Sequence, residues 1–163
     1  PANTFLFIAR SRLVVHLTGQ VRQCLATLDN KQIWWRANER SNAIGNLVLH
    51  CAGSTRHYIG HVVGGNDFVR DRDAEFAERR EIPKAELLLA LDTAASEADT
   101  VLTGFEPDRL LEMTDRTPQP STFMQVIALQ LVHYANHAGQ IAFATKMLKA
   151  DAIDDIWRRT PSH

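Results

Sequence analysis

The sequence predicts an all-α protein, a four-helix bundle forming one domain over residues 1–163. Three observations predict it. Apolar residues recur at three- and four-residue spacing through long segments, which is the stripe of a helix that buries one face. Sustained alternation of β-branched residues and Asn-Gly hairpin turns are missing. A chain of 163 residues that is 45% hydrophobic, with only 6 Pro and 8 Gly, can bury one sizeable core. No repeat at a solenoid period is present.

The first helix is expected over roughly residues 4 to 29, where Leu13, Leu17, Val21, Cys24, Leu25 and Leu28 form the stripe. "DNKQIWWRANERSN" follows as a connection, with Trp34 and Trp35 expected as core anchors before ligand-stacking groups. Ser41 or Asn42 can cap a second helix over roughly 42 to 63, and that segment carries one formal charge, Arg56, so it should be mostly buried. Gly64 and Gly65 end it. The highly charged "NDFVRDRDAEFAERRE" reads as a solvated crossing, in which Arg70 and Arg72 meet an anionic substrate only if the segment folds over the bundle end near His50.

Pro83 suits the first position of a third helix, whose Leu87, Leu91, Ala94, Ala98, Val101 and Phe105 lie opposite Glu86, Asp92, Glu97 and Asp99. After "RTPQPS", Ser121 can cap a fourth helix, and residues 121 to 145 contain no Asp, Glu, Lys or Arg. This helix too is expected to be mostly buried. Helices of roughly 22 to 28 residues would be about 33 to 42 Å long. The crossing from 64 to 82 is long for a hairpin and leaves room for one connection between helices that are not antiparallel.

Composition narrows the function. Lys and Arg number 18 against 19 Asp and Glu, a net charge of -1, and no dense basic tract occurs. The electrostatic footprint of a nucleic-acid binder is therefore missing, and small-molecule or protein partners are expected. The two cysteines, Cys24 and Cys51, sit far apart in apolar surroundings and suit buried thiols in a reducing, cytoplasmic setting. "PANTFLFIARSRLVVHL" lacks the layout of a signal peptide, and no apolar run of about 18 residues is available to span a membrane.

The chemistry lies in the histidines. Of seven, His16 and His163 are set aside as solvated or structural groups, and the other five fall on the second and fourth helices. In "LVHYANHAGQI", His133 and His137 are four apart and stack one turn apart on one face, so their imidazoles can converge on one ion. Ordinary buried histidines, each with one hydrogen bond, are the competing reading. On the second helix His50, His57 and His61 lie within about 40° of one line. One ion shared with His133 and His137 can take His50 or the His57/His61 end but not both, and spacing does not choose. Neutral imidazoles suit divalent Zn, Ni, Co or Cu.

Tyr134 follows His133, so this is not the H-E-x-x-H of zinc proteases and supplies no general base. Phosphate-binding glycine loops, G-x-S-x-G and paired C-x-x-C motifs are missing as well. Cys51 points about 100° around the helix from His50 and reads as core packing.

"SNAIGNLVLHCAGSTRHYIGHVVGG" with "RDRDAEFAER", and above all the H-x-x-x-H-x-G-Q-I of "LVHYANHAGQI", resemble the DinB-like (DinB/YfiT-like) superfamily, in a bacterial branch of unassigned function. The resemblance implies an up-down-down-up arrangement and a metal site of one histidine on helix two and two on helix four. Carried over, these are His50, His133 and His137. His57 and His61 depart from that pattern and, with Gln140, are candidates for lining the pocket or supporting the ligands from outside.

The family likeness also implies a metal-dependent enzyme acting on small molecules, foremost a thiol S-transferase using a low-molecular-weight thiol with Zn or Ni as cofactor, and a homodimer. Alternatives are a metal-dependent hydrolase, a non-catalytic bundle that uses the ion for stability or sensing, and an interaction module with core histidines.

Overall fold

The computed structural model describes residues 1–152, and His163 lies outside the described residues. Six helices are numbered in chain order. Helix α1 covers residues 2–27, α2 Asn30–Trp34, α3 residues 44–63, α4 Arg72–Ala77, α5 Lys84–Gly104 and α6 Phe123–Leu148. α1, α3, α5 and α6 form the bundle. Short 3-10 turns at Pro107–Leu111 and Ala150–Ala152 add to them.

Side-chain pairs fix the directions. Arg10 bonds Asp99 at 2.6 Å and Arg22 bonds Asp92 at 2.7 Å, so α1 and α5 are antiparallel. Arg56 reaches Glu97 at 3.0 Å and Gly64 lies against Val101, so α3 and α5 run parallel. Gln130 meets Ser54 at 3.2 Å and His133 meets His50 at 2.9 Å, making α3 and α6 antiparallel. Thr18 meets Tyr134 at 3.1 Å and Lys149 bonds the Thr27 carbonyl at 3.0 Å, so α1 and α6 are parallel. The bundle is up-down-down-up, with the 64–83 crossing making the parallel connection.

The expected stripes form the core. Leu13, Val21, Cys24, Leu25 and Leu28 of α1 and Leu87, Leu91, Ala94 and Ala98 of α5 are buried. Trp34 is buried, donates its indole N–H to the Ile82 carbonyl at 2.9 Å and packs over Gly45, where a Cβ would fall within 2.6 Å of the ring. Trp35 is exposed. Cys51 is fully buried, and burial pushes its thiol pKa up, which leaves it a packing residue. His16 is also buried.

Several details differ from the sequence expectation. Ala43, not Ser41 or Asn42, holds the cap position of α3, because Asn46 reaches back to accept the Ala43 N–H at 3.2 Å. Pro83 precedes α5 instead of opening it. Thr122, one residue after Ser121, caps α6 by exchanging bonds with Gln125.

α6 is not buried all round: Leu129, Val132, Phe143 and Met147 lie on an exposed face, so lack of charge there did not mean enclosure. Ser11–Leu17 and Arg56–Val63 are π-helical, bonding five residues back, a winding that apolar spacing does not distinguish from α. Gly64 caps the C-terminus of α3, and Gly65 after it adopts φ +78°. A two-residue antiparallel pair, Met113–Thr114 with Ser121–Thr122, closes the loop before α6.

Candidate metal centre

His50 projects from α3 and His133 and His137 from the facing side of α6. The two helices are antiparallel neighbours, so their side chains meet between them. His133 Nε2 lies 2.9 Å from His50 Nε2 and 3.1 Å from His137 Nε2. One nitrogen from each ring falls within 4.8 Å of the others. His50 is buried and the α6 pair is half-buried.

The surroundings fix which nitrogens face inward. His50 Nδ1 lies 2.8 Å from Glu75 Oε2, and a carboxylate can only accept, so Nδ1 carries the hydrogen and Nε2 presents its lone pair to the cluster. Arg70 grips the same carboxylate through Nε and Nη2, both at 2.8 Å. Its Nη2 is 3.0 Å from His50 Nδ1 because both donors converge on one oxygen. Gln140 Oε1 accepts from His137 Nδ1 at 3.1 Å and orients that ring in the same sense.

Burial, then the neighbouring His137 and His50, push the His133 pKa down to about 4. Burial also lowers His137, against the raising effect of Gln140. Burial raises Glu75, but the Arg70 and His50 bonds outweigh it and leave the carboxyl below its ordinary range. Near neutral pH the centre therefore holds neutral α6 imidazoles beside an ionised, clamped carboxylate.

This donor set fits a divalent transition-metal ion. His50 Nε2 and His137 Nε2 each turn a lone pair toward His133 Nε2, 2.9 and 3.1 Å away, a spacing that either a proton on His133 Nε2 or a cation among the rings satisfies, and nitrogens about 2.0 to 2.1 Å from a tetrahedral ion would stand roughly 3.3 Å apart, a small opening of the present spacing. Carboxylate and amide partners behind two ligands are the outer support such sites use. His133 Nδ1 is buried and has no partner among the described residues.

A cavity of about 640 Å³ opens on the three rings. Arg70, Arg72, Phe76, Tyr58 and Gln130 line it with residues of the 117–121 loop, and among the described residues no Asp or Glu does. Phe76 stands 4.4 Å from the His50 ring, centroid to centroid.

A profile of the family described as "Protein of unknown function (DUF1572)" matches residues 2–157. The chain belongs to that family. The DUF1572 chain is also similar in fold to a DinB-like protein (YjoA) from Bacillus subtilis, whose crystal structure matches with a TM-score of 0.66 and 15% identity over 86% of this chain and 90% of that one. The all-α DinB-like fold is thereby shared. No curated protein matches the chain.

His57 and His61 of this DUF1572 member stand apart from the three-histidine cluster and do not line its cavity. They stack on one another at 5.8 Å, and His61 bonds the Asn66 carbonyl.

The crossing is not simply solvated: Arg70 and Glu75 side chains are 9% and 10% exposed. Glu75 was not legible as a site residue. Asn46 holds its segment in place, donating to the Glu75 and Glu78 carbonyls at 2.9 and 3.1 Å and accepting from Ala43 and Arg36. Asn46→Ala is expected to lower stability by on the order of 3 kcal/mol in urea denaturation, since it strands several buried polar groups.

Gly53, one turn beyond His50, makes the space: a Cβ there would fall on Glu75 Oε1. A glycine inside a helix was the one available signal. Gly53→Ala is expected to displace the carboxylate and weaken metal binding about 10- to 100-fold, measured by competition with a chromogenic chelator.

Proposed function

We propose that the chain is a metal-dependent enzyme that holds one divalent ion, Zn or Ni foremost, through His50, His133 and His137 and joins a low-molecular-weight thiol to a small electrophile. The observation that carries this reading is the cavity of about 640 Å³ facing the three nitrogens. Three protein ligands beside an accessible space is the arrangement of catalytic metal sites, whereas structural sites close their coordination with protein groups. A bound ion supplies a Lewis-acidic dication that favours the ionised form of a thiol or water.

The protein's own residues prepare the reaction. Glu75 and Gln140 hold the His50 and His137 rings with Nε2 inward, and Arg70 keeps Glu75 ionised and in place. Arg70 and Arg72 give the cavity a cationic lining that suits an anionic sulfur. Phe76, Val126 and Leu129 give it apolar wall area.

Thiol transfer is favoured over hydrolysis because no carboxylate among the described residues lines the cavity to act as base toward water. In the transfer, sulfur forms a bond to an electrophilic carbon, the leaving group departs with its bonding electrons, and the thiol proton passes to solvent.

Elemental analysis of protein purified without an affinity tag, followed by an assay joining a thiol to an aryl halide, tests this. One ion per chain and conjugation that chelation abolishes and Zn or Ni restores are expected. Failure to hold an ion overturns the reading. Stoichiometric ion without conjugation of any thiol overturns its catalytic part.

A further inference from the structure

The end of the cavity away from the histidines carries a donor that the metal centre does not use. Gln130 of α6 bonds Ser54 and Thr55 of α3, so one turn further along this antiparallel pair Tyr58 stands level with Val126. Val126 precedes His133 by seven residues, about 10 Å along the axis. Tyr58 and Val126 line the cavity at this end, as His50, His133 and His137 do at the other.

The local winding directs Tyr58 there. At about 100° per residue a regular α-helix would turn Tyr58 about 80° away from His50. Arg56–Val63 is π-helical, and its smaller rotation per residue brings Tyr58 back toward the His50 side, while His57 and His61 stay off the cavity. Helical side chains lean toward the N-terminus of their helix, which tips the phenol toward the histidine end.

Hydrogen accounting singles the phenol out. The hydroxyl residues that line the cavity are Tyr58, Thr117 and Ser121. Thr117 and Ser121 both donate to the Gln119 carbonyl, at 2.7 and 3.1 Å. Tyr58 is half-buried, and its hydroxyl bonds no group among the described residues yet is not enclosed, so its hydrogen is free for a molecule in the cavity. Pro118, Val126 and Leu129 on the same wall are apolar. One donor in apolar surroundings recognises one acceptor on an otherwise apolar body.

We propose that Tyr58 is a catalytic residue toward the second substrate, donating its O–H to an oxygen conjugated with the carbon that the thiol attacks. The substrate class this selects is an apolar electrophile with such an oxygen, for example a nitroaryl halide. The proposal rests on the thiol-transfer reading of the three-histidine cavity. Once the thiol proton has passed to solvent, sulfur forms a bond to the halide-bearing carbon and a ring electron pair moves onto the conjugated oxygen. Tyr58 donates a hydrogen bond to that oxygen, where negative charge grows, and keeps its proton. The pair returns to the ring as the halide leaves with its bonding electrons.

Two ratios, each compared between wild-type protein and Tyr58→Phe, test this. On Zn-loaded protein with mercaptoethanol, the conjugation rate of chlorodinitrobenzene is divided by that of benzyl chloride, which has no oxygen. This ratio should fall at least tenfold in the variant. On metal-free protein, ligand-observed NMR gives the dissociation constant of acetophenone divided by that of α-methylstyrene, in which a methylene group replaces the carbonyl oxygen. That ratio should rise about three- to tenfold in the variant, because one neutral hydrogen bond is lost. A general disturbance of the cavity would lower both members of a pair and leave its ratio in place.

If both halides turn over, an unchanged rate ratio overturns the assignment of Tyr58 and leaves thiol transfer standing. If neither does, thiol transfer falls and Tyr58 loses its catalytic role. The binding ratio then decides its contact with the oxygen: a shift keeps it, whereas an unchanged ratio, or no binding of acetophenone at millimolar concentration, removes it.

Discussion

After loading with Zn or Ni, the variants His50→Ala, His133→Ala and His137→Ala are each expected to hold far less than one ion per chain, while the wild-type protein holds one. Each substitution removes one of three nitrogens that lie within 4.8 Å of one another, and no other described His, Cys, Asp or Glu joins that group. The loss should exceed the 10- to 100-fold that changes in outer support produce, because a coordinate bond itself is gone. His57→Ala and His61→Ala are the matched controls and should keep the ion, since neither side chain lines the cavity. Elemental analysis after dialysis reads all five. Full occupancy in the three site variants would show that the ion sits elsewhere.

Glu75→Gln is expected to lower stability by about 3 to 5 kcal/mol and metal affinity by about 10- to 100-fold. The amide replaces a carboxylate that accepts two bonds from Arg70 and one from His50, all at 2.8 Å. An amide cannot serve all three donors, and Arg70 is left as a nearly buried charge without its counterion. The two effects can be separated. An Arg70→Met, Glu75→Met double variant removes both charges and should regain much of the stability, because well-packed apolar pairs replace buried ion pairs at little cost. Its metal affinity should stay low, because His50 Nδ1 still lacks an acceptor. Urea denaturation and chelator competition read the two quantities, and full recovery of both would show that Glu75 acts only through packing.

The bundle was legible because helices that bury one face write that face into the sequence at fixed spacing, as Leu13 to Leu28 and Leu87 to Ala98 do. The His133/His137 pair was legible for the same reason. The third histidine was not: His50, His57 and His61 lie along one line of α3, and only the family resemblance distinguished His50. The structure brings His50 into the cluster through the relative height of α3 and α6, which is a long-range quantity.

Glu75 was hidden differently. Within "RDRDAEFAERRE" each charge looks solvated, and what buries this one is mostly distant in sequence: the Asn46 amide and the vacancy at Gly53, which let Arg70, five residues before it, clamp the carboxylate.

His50 and His133 are 83 positions apart in the chain, whereas His133 and His137 are four apart. Unfolding leaves only the close pair as neighbours, so an ion held by all three favours the folded chain by an amount that grows about 1.4 kcal/mol for each tenfold rise in free ion above its dissociation constant. With an ion held at the proposed centre, resistance to unfolding should therefore rise with free ion, and the melting temperature followed across a Zn titration measures that coupling between ion supply and durability.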